Sequence, residues 1–241
     1  SNEANLLISS TVSNWGALGS DYLVGPRYFH NQTLATSETC LSAGLWGSSD
    51  YLYLKPFSTT GFVASILRKS GLYDGGYLYY MPVLFSTDET LLCRAEAYIM
   101  KAQPEYGKAV SDINDWLTSV CYVGKAPVVT EDDINTFYKN IEYTPIPIES
   151  AAQRTVKKEL NPIIQFVDEK QENLIHCILH LRRIETIHEG LRWYDIKRYG
   201  IEISHNREGL SPDILTKNDL RRAFQLPQDV INAGLDANPR N

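Results

Sequence analysis

The side chains able to do chemistry crowd into residues 172–200: carboxylates, two helix-spaced histidines, a thiol and a run of guanidinium groups. Glu185 and Glu189, and also Asp132 and Asp133, are paired carboxylates. Glycoside hydrolysis needs two acids facing each other across a sugar, and neighbours on one exposed helix face do not straddle a substrate. His176 and His180, four apart, could hold a metal from one helix face. No Glu follows His176 as a His-Glu-x-x-His site requires, and Cys-Ile-Leu lies between the two, so helix packing is the expected role. Cys40, Cys93, Cys121 and Cys177 are far apart and form no Cys-x-x-Cys pair. Cys93 and Cys177, among apolar neighbours, read as small buried hydrophobes. Gly71-Leu72-Tyr73-Asp74-Gly75-Gly76 reads as a loop without the Lys of a phosphate cradle, and no Gly-x-Ser-x-Gly or dinucleotide fingerprint occurs. These patterns predict no covalent chemistry, no metal and no cofactor.

What remains is a charge lattice over residues 181–200. Leu181, Ile184, Ile187/His188 and Leu191 recur every three or four residues, the period of one helix face. Glu189 and Arg192, Arg192 and Asp195, and Asp195 and Arg198 are spaced to pair one turn apart. An exposed pair contributes only about 0.3–0.5 kcal/mol, so attraction alone does not explain the pattern. Guanidinium groups are planar five-donor forks that can tie a helix to neighbouring loops. Arg183, Glu189, Arg192 and Asp195 are therefore expected to form a structural brace. Gly190, inside this long helix, predicts a kink or a close approach of another backbone.

Helical pattern begins at residue 86. Ser86-Thr87-Asp88-Glu89 reads as a capping box opening a helix to about Ala102. After Gln103-Pro104-Glu105, Ala109, Ile113, Trp116, Leu117 and Val120 mark a second helix, with Ala95 and Ala109 permitting close approach. The pair resembles one tetratricopeptide unit, which cannot bury its own face and must stack on further helices. Thr130-Glu131-Asp132-Asp133 caps a short helix to about Asn140, and Tyr143-Thr144-Pro145-Ile146-Pro147 must be extended. A helix is expected near 149–160, then the long helix from about Glu172 or Leu174. After Gly200 come short extended pieces, a turn at Lys217-Asn218-Asp219, a strand-like Arg222–Leu226 and a helical turn after Pro227.

Residues 1–86 are different. They hold 14 of the 26 aromatic residues and nine of the 15 glycines, but only nine of the 52 charged residues. An uncharged, ring-bearing, loop-rich segment suits a neutral ligand, because sugar C–H faces lie flat on Trp and Tyr. Trp15, Tyr22, Tyr28, Trp46 and Tyr73 are the candidate ligand-binding residues. Residues 5–9 suit a short strand, 61–69 a short helix, and Tyr77, Tyr79 and Tyr80 a core strand or turn.

The run Arg182-Arg183-Ile184-Glu185 with Glu189-Gly190-Leu191-Arg192-Trp193-Tyr194-Asp195-Ile196-Lys197-Arg198-Tyr199-Gly200 resembles the C-terminal signature of the SusD/RagB family of lipid-anchored outer-membrane nutrient-capture proteins. Leu91-Leu92-Cys93-Arg94-Ala95-Glu96-Ala97-Tyr98 resembles that family's Leu-Arg-Ala-Glu-Ala-Tyr helix, and Phe224–Asn232 with Asn238-Pro239 resembles its closing segment. The resemblance implies a mostly α-helical scaffold with long irregular loops and a few short strands. It also implies non-catalytic glycan or oligosaccharide binding and a SusC-like TonB-dependent transporter as partner. The family's upstream half and its lipid anchor would lie outside this chain. Residues 1–86 form the aromatic loop segment and 87–241 the helical region, within one structural unit. A protein-docking scaffold without sugar contact and a glycoside hydrolase are the competing readings. A net charge of −6 with no basic face argues against a nucleic-acid partner.

Overall fold

The computed structural model describes residues 6–7, 11–12, 44–48, 51–52, 71–74, 77–80, 83–186 and 190–240. They are mostly α-helical. Helix α1 (Thr87–Ile99) packs antiparallel-hairpin fashion against α2 (Tyr106–Val120), and both α1 and α3 (Glu131–Lys139) pack on α4 (Glu169–Glu185). Ala95 and Ala109 are fully buried, as close approach of α1 and α2 requires. The pair's apolar face is covered within the chain: α4 is the helix on which it stacks.

The capping chemistry works as expected at α3, where Thr130 and Asp133 form the full reciprocal box. At α1 the Ser86 hydroxyl accepts from the Glu89 amide at 3.1 Å, but the Glu89 carboxylate goes to Arg182 at 3.3 Å. A long-range charge outcompetes the local cap. Helix α4 is interior on every side, with 13 of its 17 residues buried, so its polar side chains need partners. Gln171 donates to the Ile99 carbonyl at 2.7 Å, Asn173 donates to Asn135 at 2.9 Å, and Glu185 accepts from the Trp116 indole at 3.2 Å.

Several expectations are corrected. The long helix is two: α4 ends at Glu185, and α5 (Arg192–Arg198) begins after Gly190. Gly190 has φ +80°, and a Cβ there would meet nothing within 4 Å, so the left-handed backbone and not a close approach by a described residue calls for glycine. No helix fills 149–160, only a 3₁₀ turn at Ala151–Gln153. Thr144 donates its amide to the Lys157 carbonyl at 2.9 Å while its hydroxyl accepts from the Thr155 amide at 2.9 Å. One backbone bond and one side-chain-to-backbone bond hold 154–158 extended. Arg222–Leu226 is not a strand, since a 3₁₀ turn spans Leu220–Arg222.

Strands are short: β1 (Leu6–Leu7), β2 (Thr11–Val12), β3 (Gly71–Asp74), β4 (Tyr77–Tyr80) and β5 (Val83–Phe85), then β6 (Ile203–Arg207) and β7 (Leu210–Leu215). Strands β3 and β4 are antiparallel with Asp74 opposite Tyr77, so Gly71–Asp74 is strand and not loop; Gly75 and Gly76 lie outside the described residues. The turn at Thr216–Asp219 and helix α6 (Gln228–Asn232) form as expected. The segment 61–69 lies outside the described residues. Leu52 bridges Cys121 antiparallel, and Trp46 and Leu52 join the same buried core as the helices. Cys177 is buried, but Cys93 is exposed, its Sγ 3.0 Å from Arg182, contrary to the sequence reading; Cys40 lies outside the described residues.

Helix α5 closes with a Schellman motif: Gly200 at φ +56°, Ile201 N–H to Ile196 O at 3.0 Å and Gly200 N–H to Lys197 O at 3.4 Å. A Cβ on Gly200 would stand 2.8 Å from the Asn161 carbonyl. Gly200→Ala is expected to combine a left-handed penalty of about 1–2 kcal/mol with that clash. Gly190→Ala carries the first penalty alone. Thermal unfolding should therefore show a clearly larger drop in Tm for the Gly200 variant; equal drops would contradict the close approach.

Candidate functional site

The expected brace exists with a changed membership. Asp195 on α5 is 0% exposed. Arg198 Nη2 donates to it at 2.8 Å, Arg182 Nε lies 3.3 Å away, and Arg192 Nη1 is at 4.0 Å. Arg198 also forks onto Glu96 of α1 at 2.5 and 3.1 Å, and the Tyr199 hydroxyl donates to Glu96 at 2.7 Å. Burial works against the charge on Arg198, and the carboxylates of Glu96 and Asp195 more than offset it, raising its pKa. Burial and then the Glu96 charge push the Tyr199 phenol up, so it stays a donor. Arg94 completes the join of α1 to α2 with two bonds to Asp112 at 2.9 and 2.7 Å.

Arg183, expected in this brace, lines a cavity and has a partner of its own, while its neighbour Arg182 reaches the buried Asp195. Successive helix residues are about 100° apart around the axis, so one position decides between interior carboxylate and open wall. Glu189 lies outside the described residues. The expected brace includes neither Glu96, Arg182 nor Arg198. Arg198 was legible from its spacing to Asp195, while Glu96 lies 102 residues away and had no local signal.

The cavity is about 230 Å³. One wall is the connection, with Thr144, Ile146, Ile148, Arg154 and Lys158; the others come from Arg183 of α4, Arg192 and Ile196 of α5, and the chain from Ile201 to His205. Each wall is held by identifiable bonds. Lys158 Nζ donates to Thr144 Oγ1 at 2.7 Å and to the Thr155 carbonyl at 2.6 Å. Ile148 N–H reaches Ser204 Oγ at 3.5 Å, tying the connection to β6. Arg222, unnoticed in the sequence, donates to the carbonyls of Ile196, Ile201, Leu215 and Thr216 at 3.1, 2.5, 3.3 and 2.6 Å, so one guanidinium fixes the α5 end against the β6–β7 hairpin.

The candidate ring platform fares differently. Trp46 is corrected: it is 1% exposed, edge-on to His180 at 5.1 Å, in a space that exists because a Cβ on Gly44 would sit 2.5 Å from its ring. Such a ring offers no face to a sugar. Tyr73 lies in strand β3 and not on a loop. Trp15, Tyr22 and Tyr28 lie outside the described residues. Glu185 is buried against Trp116, and Asp133 is spent on the α3 cap, so neither acid pair offers two free carboxylates. His180 Nδ1 pairs with the Tyr138 hydroxyl at 3.0 Å, and His176 Nε2 is 3.6 Å from Glu172.

Comparison with known protein families, with curated proteins and with solved structures finds no match. No helix among the described residues is long and apolar enough to cross a membrane.

Asp195→Ala is expected to strand Arg182 and Arg198 and cost about 3–5 kcal/mol, the usual penalty for breaking a buried pair. Arg192→Ala leaves Asp195 its two nearer guanidinium partners and should cost clearly less. Urea unfolding of both variants checks the order; similar losses would place Arg192 inside the brace. A pH effect follows from His176, whose pKa burial lowers from the ordinary 6.5. The unfolded chain then takes up the proton first, so stability is whole above about pH 6.5 and falls as pH drops from there through the depressed folded value. Glu172 carries a lowered carboxylate pKa, through its contact with His176, and adds its loss only below 4.5. Tyr143, Lys157 and Arg192 are the other groups acting on this imidazole or stacked on it. His176→Gln should flatten the stability curve between pH 7 and 5; an unchanged slope would assign the loss elsewhere.

Proposed function

We propose that this chain is a non-catalytic, SusD-like glycan-binding protein. On this reading it captures oligosaccharide at the outer-membrane surface, where a lipid anchor holds the full-length protein, and hands it to a SusC-like TonB-dependent transporter. The observation that carries the reading is the meeting of two separate family-like stretches. Arg94 and Glu96 of the Leu-Leu-Cys-Arg-Ala-Glu-Ala-Tyr helix join Asp112 on α2 and Arg198 and Tyr199 of the Arg-Trp-Tyr-Asp-Ile-Lys-Arg-Tyr-Gly run. Charged residues shared with the family signature thus serve one internal junction. That role leaves recognition to the sparsely charged segment before residue 86, where Trp15, Tyr22, Tyr28 and Tyr73 remain the candidate contacts.

A docking scaffold is the second reading. It is favoured by Ile163, 97% exposed, with Ile164 and Val167 exposed beside it ahead of α4, more apolar surface than a lone side chain presents. Native gels cast with plant, host and microbial polysaccharides separate the two. Retardation by at least one neutral polysaccharide, abolished by Trp15→Ala and accompanied by no new reducing ends, is the expected result. No retardation by any of them, with a barrel protein co-purifying, would replace glycan capture by docking; reducing ends would make the chain a hydrolase.

A further inference from the structure

The cavity beside α5 contradicts the charge of the chain that builds it. Among the described residues its wall carries Arg154, Lys158, Arg183 and Arg192 and one acid, Glu202, in a protein of net charge −6; Lys158, Arg183 and Arg192 already have partners of their own. That acid is already engaged, since Glu202 Oε1 accepts from the Lys217 backbone amide at 3.0 Å. Arg154 is half-buried and has no hydrogen bond or ion pair with any described residue. A half-buried guanidinium without a carboxylate is an unmet demand for one, because its planar fork is shaped for a carboxylate and keeps its charge at any accessible pH.

The rest of the lining is as distinctive. Five isoleucines supply the apolar surface: Ile148 and Ile201 buried, and Ile146, Ile196 and Ile203 half-buried. Among the described residues no Trp, Tyr or Phe lines the cavity and His205 brings the one ring, so it is ill suited to stacking a neutral sugar. The Schellman motif at Gly200 and the Arg222 clamp hold Ile196 and Ile201 in place, so the apolar wall is preformed. At about 230 Å³ the space is smaller than the ~300–1,000 Å³ of pockets for drug-sized ligands.

We propose that this cavity is a second binding site, for a small organic carboxylate with an apolar body no larger than one ring, its carboxylate on Arg154 and the neighbouring cations and its body against the isoleucines. The site does not rest on the glycan reading, which concerns a different segment.

Titration calorimetry of the full chain with trans-cinnamate, cinnamyl alcohol and acetate tests both halves of the assignment. Cinnamate should bind at one site, at least about tenfold tighter than the alcohol, which lacks the charge, and than acetate, which lacks the body. Arg154→Gln should weaken cinnamate about tenfold at unchanged Tm, because the side chain holds nothing else, and added salt should weaken it further. Ile146→Glu, which places a carboxylate in the wall, should abolish binding if the first variant is poorly folded. No cinnamate binding, equal binding of either control, or undiminished binding by folded variants would overturn the proposal. Polysaccharide retardation should survive Arg154→Gln, so failure here and failure of glycan capture are separate results.

Discussion

A carboxylate with no access to water governs the architecture. Removing a charge from solvent costs several kcal/mol, and Asp195 meets that cost only where Arg182 and Arg198 reach it together. Arg182 comes from α4, Arg198 from α5, and each carries a second bond onward to α1, through Glu89 and Glu96. Three helices are therefore held in one mutual arrangement. Replacing such a network with apolar side chains is often neutral for stability, so its contribution lies in geometry: a greasy interface can slide, and a set of forks on carboxylates cannot.

The same economy explains α4. A helix interior on all sides would ordinarily be apolar, yet this one buries Gln171, Asn173, His176, His180, Arg182 and Glu185. Its polar contacts reach α1 through Gln171, α2 through Glu185, α3 through Asn173 and His180, and α5 through Arg182. Each neighbour is addressed by a different side chain, which makes the packing order specific. Arg183, one residue from the interior Arg182, lines the cavity of an acidic protein. Net charge describes the field far from the molecule and says little about a half-enclosed space whose walls exclude water.

Sequence alone determined what neighbours in the chain can settle. The caps at Ser86 and Thr130, the period of α2, the turn before Asp219, the helix stop at Gly200 and the Asp195–Arg198 and Arg192–Asp195 spacings were all legible, because each depends on groups within a few residues of one another. Where a distant partner competes, local reading failed. A helix is expected near 149–160, but Thr144 and Thr155 hold 154–158 extended. Glu89 completes half of its capping box and gives its carboxylate to Arg182, 93 residues away. Trp46 has the look of a sugar platform and is an interior ring, because Gly44 opens room for it and α4 presents His180 to its edge. The choice of Arg182 over Arg183 for the buried carboxylate, and the cavity that Arg183 lines as a result, depend on the rotation of α4 against α1 and α5. Spacing along one chain records which side chains share a face; only packing decides what that face meets.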